Sequence, residues 1–114
     1  MNESNGPLTP ALFNVLLALA DGDKHGYAIL KEVAEQTGGD VQLSTGTLYG
    51  IIKRLLSDGW IAEVRRRASL DNDDQRRRYY RLTEAGRKVA MAEAARMAKV
   101  LERARAKKLV VKHV

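Results

Sequence analysis

Apolar spacing along this chain changes period several times, and each change marks the boundary of an element. Leu8, Leu12, Val15, Leu16 and Leu19 recur at helical spacing, and Phe13, Leu17 and Ala20 make a second stripe beside them. Thr9 followed by Pro10 supplies an N-cap and a first-turn proline, so a helix runs from there to about Ala20. A helix that is apolar on two sides has to be covered on both. Either another subunit supplies the second cover, or the helix is central and enclosed by its own chain. Asp21-Gly22-Asp23 is a turn. A second helix follows from about Gly26 to Thr37, with Ile29, Leu30, Val33 and Ala34 inward and Gly38-Gly39 as its stop.

The stretch Ser44–Ile61, STGTLYGIIKRLLSDGWI, organises the rest. Leu48, Ile51, Ile52, Leu55 and Leu56 form one helical face, Ser44 can cap the start, and Gly59 can end it in a left-handed turn. The opposite face holds Gly46, Gly50, Lys53, Arg54 and Ser57. A glycine inside a helix costs about 1 kcal/mol relative to alanine. A pair of them on the solvent side, followed by cations, suggests a surface that something anionic approaches closely; a solvated face with incidental glycines is the alternative.

After Gly59 the period becomes that of strands. Trp60–Val64 leads into Arg65-Arg66-Arg67, and Arg76-Arg77-Arg78 leads into Tyr79-Tyr80-Arg81-Leu82, with the polar cluster Ser69–Gln75 between them. These runs predict a β-hairpin with six arginines gathered at its tip. Like charges facing across a hairpin are destabilising, so their concentration points to an anion outside the chain. Thr83 and Glu84 then open a last helix extending to about Lys108, in which Ala90, Ala94, Met97, Leu101 and Ala104 form a heptad seam. Small seam residues let a partner helix approach closely. Together with the Phe13, Leu17 and Ala20 stripe, the seam predicts a homodimer.

The order helix, helix, helix, hairpin, helix is mainly α with a small β-hairpin. It matches a winged helix-turn-helix DNA-binding domain over residues 1–82, followed by a C-terminal dimerisation helix and tail over residues 83–114. In that architecture the third helix enters the major groove, and Gly46 and Gly50 let its backbone sit deep. Ser44, Thr45, Thr47, Tyr49, Lys53 and Arg54 surround them with donors, and the arginine hairpin would act as a wing, tracking phosphates or entering a narrow minor groove. Basicity begins where the glycine-faced helix begins. Residues 1–43 carry Lys24 and Lys31 against six acids, a net of −4, residues 44–82 nine cations against five acids, a net of +4, and residues 83–114 nine against three, a net of +6. A segregated basic half is the electrostatic footprint of a polyanion's partner.

Composition removes other classes. One compact domain fits 114 residues, and 45% hydrophobic content is that of a globular chain. No apolar run is long enough to cross a bilayer, the N-terminus lacks the features of a signal peptide, and a cytoplasmic protein without membrane contact is expected. The chain has no cysteine, and His25 and His113 are far apart, so there is no metal-ligand spacing and no thiol nucleophile. His25, beside Gly26, reads as a helix cap or a surface residue. Nothing calls for a cofactor, and no nucleophile–base pair supports an enzyme.

Several motifs together carry a family resemblance: His25-Gly26-Tyr27-Ala28-Ile29, Ser44-Thr45-Gly46-Thr47-Leu48-Tyr49, Arg54-Leu55, Gly59-Trp60-Ile61, and Arg78-Tyr79-Tyr80-Arg81-Leu82-Thr83-Glu84-Ala85-Gly86. At these residues the chain resembles the PadR family of bacterial transcriptional regulators, in its short subgroup with a single C-terminal helix. The resemblance implies that the third helix reads double-stranded operator DNA and that Tyr27 and Tyr49 bind backbone phosphate. It also implies a homodimer built through the last helix, repression of a nearby gene, and release by a small aromatic or drug-like effector. One position departs: the family usually has proline after the Leu-Tyr pair, where this chain has Gly50. Trp60 and Phe13 are candidate pocket residues, with a core position the simpler reading of each. A winged-helix module that binds an acidic protein partner without specific DNA recognition is the alternative function.

Overall fold

The computed structural model describes residues 7–65 and 78–111. Helix α1 spans Pro10–Ala18, strand β1 Lys24–His25, helix α2 Gly26–Gln36, helix α3 Thr45–Asp58, strand β2 Ile61–Val64, strand β3 Tyr79–Leu82 and helix α4 Glu84–Ala106. The helix boundaries follow local chemistry. Thr9 accepts the Leu12 N–H, Ser44 the Thr47 N–H and Thr83 the Gly86 N–H, each satisfying a donor that a helix start leaves orphaned. His25 does the same for α2, its Nδ1 accepting the Ala28 N–H at 3.2 Å. Gly38, Gly39 and Gly59 adopt positive φ where α2 and α3 end. At Gly59 (φ 78°) this lets Trp60 N–H reach back to the Leu55 carbonyl at 3.0 Å.

Two expectations are corrected. Helix α1 stops at Ala18 rather than Ala20, because Leu19 and Ala20 tighten into i→i+3 bonds to the Leu16 and Leu17 carbonyls. The hairpin is also not alone. Lys24 and His25 pair antiparallel with Tyr80 and Tyr79, so the sheet has the order β1-β3-β2 with Tyr79–Leu82 at its centre. Two residues are too few to show a period.

The core forms where the helices meet the sheet. Leu12, Val15, Leu16 and Leu19 pack with Ile29 and Val33 of α2, with Leu48, Ile52 and Leu55 of α3, and with Trp60, Ile61, Tyr80 and Leu82. Each such aliphatic side chain removed from water contributes roughly 1.5–3 kcal/mol. Trp60 is therefore core, only 8% exposed. The turn after α1 is tied down by cations: Lys24 Nζ donates to the Ala18 carbonyl, and Arg87 donates to that of Ala20 at 3.0 Å.

The start of α4 is bolted to the end of α3. Thr83 N–H donates to the Trp60 carbonyl at 3.0 Å and the Thr83 hydroxyl to the Gly59 carbonyl at 2.7 Å. A β-carbon at Gly86 would overlap the Trp60 carbonyl oxygen and lie 2.8 Å from its carbon. Further along, Glu93 is buried, accepting from Arg96 (Nε 3.1 Å, Nη2 2.5 Å) and from the Leu8 N–H at 3.4 Å. Beyond it α4 runs on exposed as far as its end, apart from the partly buried Ala104. No helix among the described residues is long and apolar enough to cross a membrane.

Candidate nucleic-acid interface

The face of α3 turned from the core is the one the spacing predicts. Leu48, Ile52 and Leu55 are buried, Ile51 and Leu56 partly so, while Thr45, Gly46, Thr47, Gly50, Lys53, Arg54 and Ser57 are all exposed. A β-carbon added at Gly46 or at Gly50 would meet nothing within 4 Å. The fold therefore does not use either glycine, although each weakens the helix by about 1 kcal/mol. What remains is open space over bare helix backbone at these two positions, a trough on the outer face of α3.

Donors surround the trough. At its N-terminal end Ser44 Oγ accepts the Thr47 N–H at 3.0 Å and donates to Thr47 Oγ1 at 2.9 Å, which links two hydroxyls. Tyr49 is 45% exposed and Tyr27, in the first turn of α2, 67%. Among the described residues Lys53 has no ion pair, whereas Arg54 lies 3.7 Å from Asp58 one turn on. An exposed i,i+4 pair of this kind is worth a few tenths of a kcal/mol and leaves the guanidinium available.

At the hairpin, Val64 pairs with Tyr79, so Arg65 and Arg78 leave the sheet side by side, both exposed. Arg78 Nε sits 3.8 Å from Glu63. Arg66, Arg67, Arg76 and Arg77 lie outside the described residues. Arg81, in the same basic cluster, has a different task. It donates Nε and Nη2 to Asp23 at 3.1 and 3.0 Å, tying the central strand to the turn after α1. That pairing raises the guanidinium further above its ordinary value. Bidentate geometry commits Arg81 to the fold.

Some contacts beside this face were not visible in the spacing. Tyr79 meets the His25 ring edge-on at 5.4 Å between centroids, and Tyr27 stacks beside His25 at 6.5 Å. Tyr80 is buried, and burial above all pushes its phenol upward, with Tyr49 and Glu63 acting the same way. The Tyr49 phenol also reaches the start of α2, where it lies against Gly26. The repeated tyrosines were the available signal, but their pairing across elements was not.

On the far side, Leu17 of α1 is 49% exposed and Phe13 and Ala20 partly buried. On α4 Ala94, Met97 and Leu101 are exposed, Ala90 and Ala104 partly buried. A cavity of about 380 Å³ opens between α1 and α2, lined by Leu17 and Ala20 on its apolar side and by Asp21 and Glu32 on its polar side. Neither Phe13 nor Trp60 lines it. Lys24 already pairs with both carboxylates.

Comparison with known proteins places this geometry. The model of the transcriptional regulator PadR-like family matches residues 15–92. A PadR family transcription regulator from Clostridium difficile R20291 superposes with a TM-score of 0.73 at 23% identity, over 86% of this chain and 97% of that one. PadR of Bacillus subtilis, solved in complex with operator DNA, superposes with a TM-score of 0.62 at 20% identity, over 74% of this chain and 46% of that one. An uncharacterised 37.1 kDa protein of transposon Tn4556 in Streptomyces fradiae is 38% identical over 86 residues, 75% of this chain. The chain spans from 22% to 64% of the length of the curated relatives it matches.

Proposed function

The chain belongs to the transcriptional regulator PadR-like family, a family of regulators and not of enzymes, and on that premise we propose that it is a dimeric, sequence-specific operator-binding protein that acts as a repressor. One observation carries the reading: the exposed face of α3, where Gly46 and Gly50 face open space that the fold does not fill. A base edge or sugar–phosphate backbone can approach that trough to helix-backbone contact, with Thr45, Thr47 and Lys53 beside it as donors. Tyr27, Tyr49 and Arg54 flank it and take phosphates, and Arg65 and Arg78 begin a wing that does likewise; from the sequence alone, the same role is proposed for Arg66, Arg67, Arg76 and Arg77.

In this proposal residues 1–82 read DNA and residues 83–114 dimerise. Support for the second part is the exposed Met97 and Leu101 on α4 and Leu17 on α1, apolar side chains that no described element of the same chain covers. Dimerisation sets two recognition helices at a fixed separation, as a two-fold operator requires. Repression, and release by a small effector, extend the proposal on the family relationship alone.

The test is a titration of DNA from the protein's own promoter region against random DNA of equal length across a range of salt. A clear preference, with affinity falling steeply as salt rises, is expected. Equal affinity for both would sink sequence-specific binding. Retention of an acidic protein with no DNA binding at physiological salt would favour the protein-interaction alternative. Sedimentation at tens of micromolar checks the dimer, and a persistent monomer would refute it.

A further inference from the structure

We propose that Gly26 is a positioning residue for the recognition helix: the absence of a side chain there makes the seat that holds the Tyr49 phenol at the DNA-facing surface. This rests on the DNA-binding reading above and adds to it a residue that does not itself face DNA.

Gly26 is the first residue of α2 and is buried. A β-carbon on it would overlap the Tyr49 hydroxyl oxygen, and would lie 2.9 Å from Cζ and 3.4 Å from Cε1. The far end of the Tyr49 ring therefore rests directly on the backbone at the start of α2. Buried Tyr80 of the central strand senses Tyr49 from the sheet side. The ring is thus placed where α3 meets the start of α2, and the residue is still 45% exposed. The next residue, Tyr27, is the more exposed of the two at 67%. One turn of α2 so presents one tyrosine and seats the other.

What would yield to a methyl group at position 26 is decided by the atoms in contact. At Gly86 the obstacle is the Trp60 backbone, which cannot swing away. At Gly26 the obstacle is the tip of a side chain with two free torsions. The methyl would turn Tyr49 out of its seat and leave both helices standing. Alanine is also the better helix former. The substitution therefore falls on the direction of Tyr49 rather than on stability, which separates a positioning role from a packing one.

The experiment compares wild type, Gly26→Ala, Tyr49→Ala and the double variant in thermal melts and in operator titrations. Gly26→Ala should melt at or above the wild-type temperature yet bind about tenfold more weakly, the size of one missing charge-assisted hydrogen bond. In the Tyr49→Ala background the same change should cost nothing further. Wild-type affinity in Gly26→Ala, or an equal loss in both backgrounds, would overturn the proposal. A second measurement needs no DNA. A nuclear Overhauser contact between the Gly26 α-protons and the Tyr49 ring ε-protons should be present in the free wild-type protein, and the Tyr49 ring resonances should shift in Gly26→Ala. Absence of that Overhauser signal, or unshifted ring resonances, overturns the seat whatever the DNA result. Wild type that binds no operator while showing both ring signatures defeats the DNA-binding reading and upholds the seat.

Discussion

The outer face of α3 and the root of α4 both place glycine inside a helix, and the two regions use it in opposite ways. At the root of α4 a β-carbon on Gly86 would run into the Trp60 carbonyl, so the absent side chain is what lets α4 start against the end of α3. Thr83 completes that joint with bonds to Gly59 and Trp60. On α3 the space over Gly46 and Gly50 is empty to 4 Å. Here glycine weakens the helix and the fold gains nothing in return. A residue that lowers stability without serving packing is expected where an external partner needs the space. On the proposed function, the difference between these regions separates what holds the protein together from what it offers to another molecule.

The largest effect that could break this contrast is at Gly86. Gly86→Ala should destabilise by about 3 kcal/mol, since backbone must move to admit the methyl group. The midpoint of urea denaturation measures it, and an unchanged midpoint would show that the joint is loose. On α3 the sign should reverse. Gly46→Ala and Gly50→Ala should each stabilise by up to about 1 kcal/mol, yet weaken operator binding. Stabilisation with unchanged affinity would make these glycines incidental and remove the contrast.

Charges sharpen the same comparison with smaller effects. Arg65 and Arg81 lie in the same basic stretch and look alike in sequence. Arg65 is exposed just beyond the end of β2, while Arg81 is held by Asp23 in a two-point contact. Arg65→Ala should leave the melting curve within about 0.5 kcal/mol of wild type. It should also flatten the plot of log affinity against log salt by about one unit for each phosphate that Arg65 neutralises. Arg81→Ala should lower stability and leave the salt slope unchanged. If the two variants behave alike, the arginines share one role and the Asp23 contact decides nothing.

Legibility in the sequence follows the range of the interaction. Helix α3 was readable end to end because its cap, its period and its stop are all local: Ser44, the Leu48–Leu56 stripe and Gly59. The long period of α4 was readable for the same reason. Strand β1 was not, since two residues show no period and exist as strand only through Tyr79 and Tyr80. Gly26 and Gly86 carried no local sign of why they are glycine, because what fills their space is Tyr49 and Trp60, far along the chain. The arginines were visible as a cluster, but which one is spent on the fold depends on Asp23, 58 residues away from Arg81.

The smallest of these effects concerns an acid that α4 turns inward. Glu93 is 7% exposed, and hydrogen bonding from Arg96 holds its carboxyl below the usual carboxylate range, helped by the Leu8 N–H and opposed by burial. A carboxyl whose folded pKa is lowered binds fewer protons folded than unfolded. Its contribution is therefore complete above the unfolded value, about 4.3 for glutamate, and is lost as pH falls through the lower folded value. Glu93→Gln should be less stable than wild type at neutral pH, and the gap should narrow on acidification through that window. Denaturation at several pH values measures it. A gap that stays constant would mean that Glu93 serves α4 by shape alone, and that its charge, unlike that of the Asp23 carboxylate held by Arg81, contributes nothing to the fold.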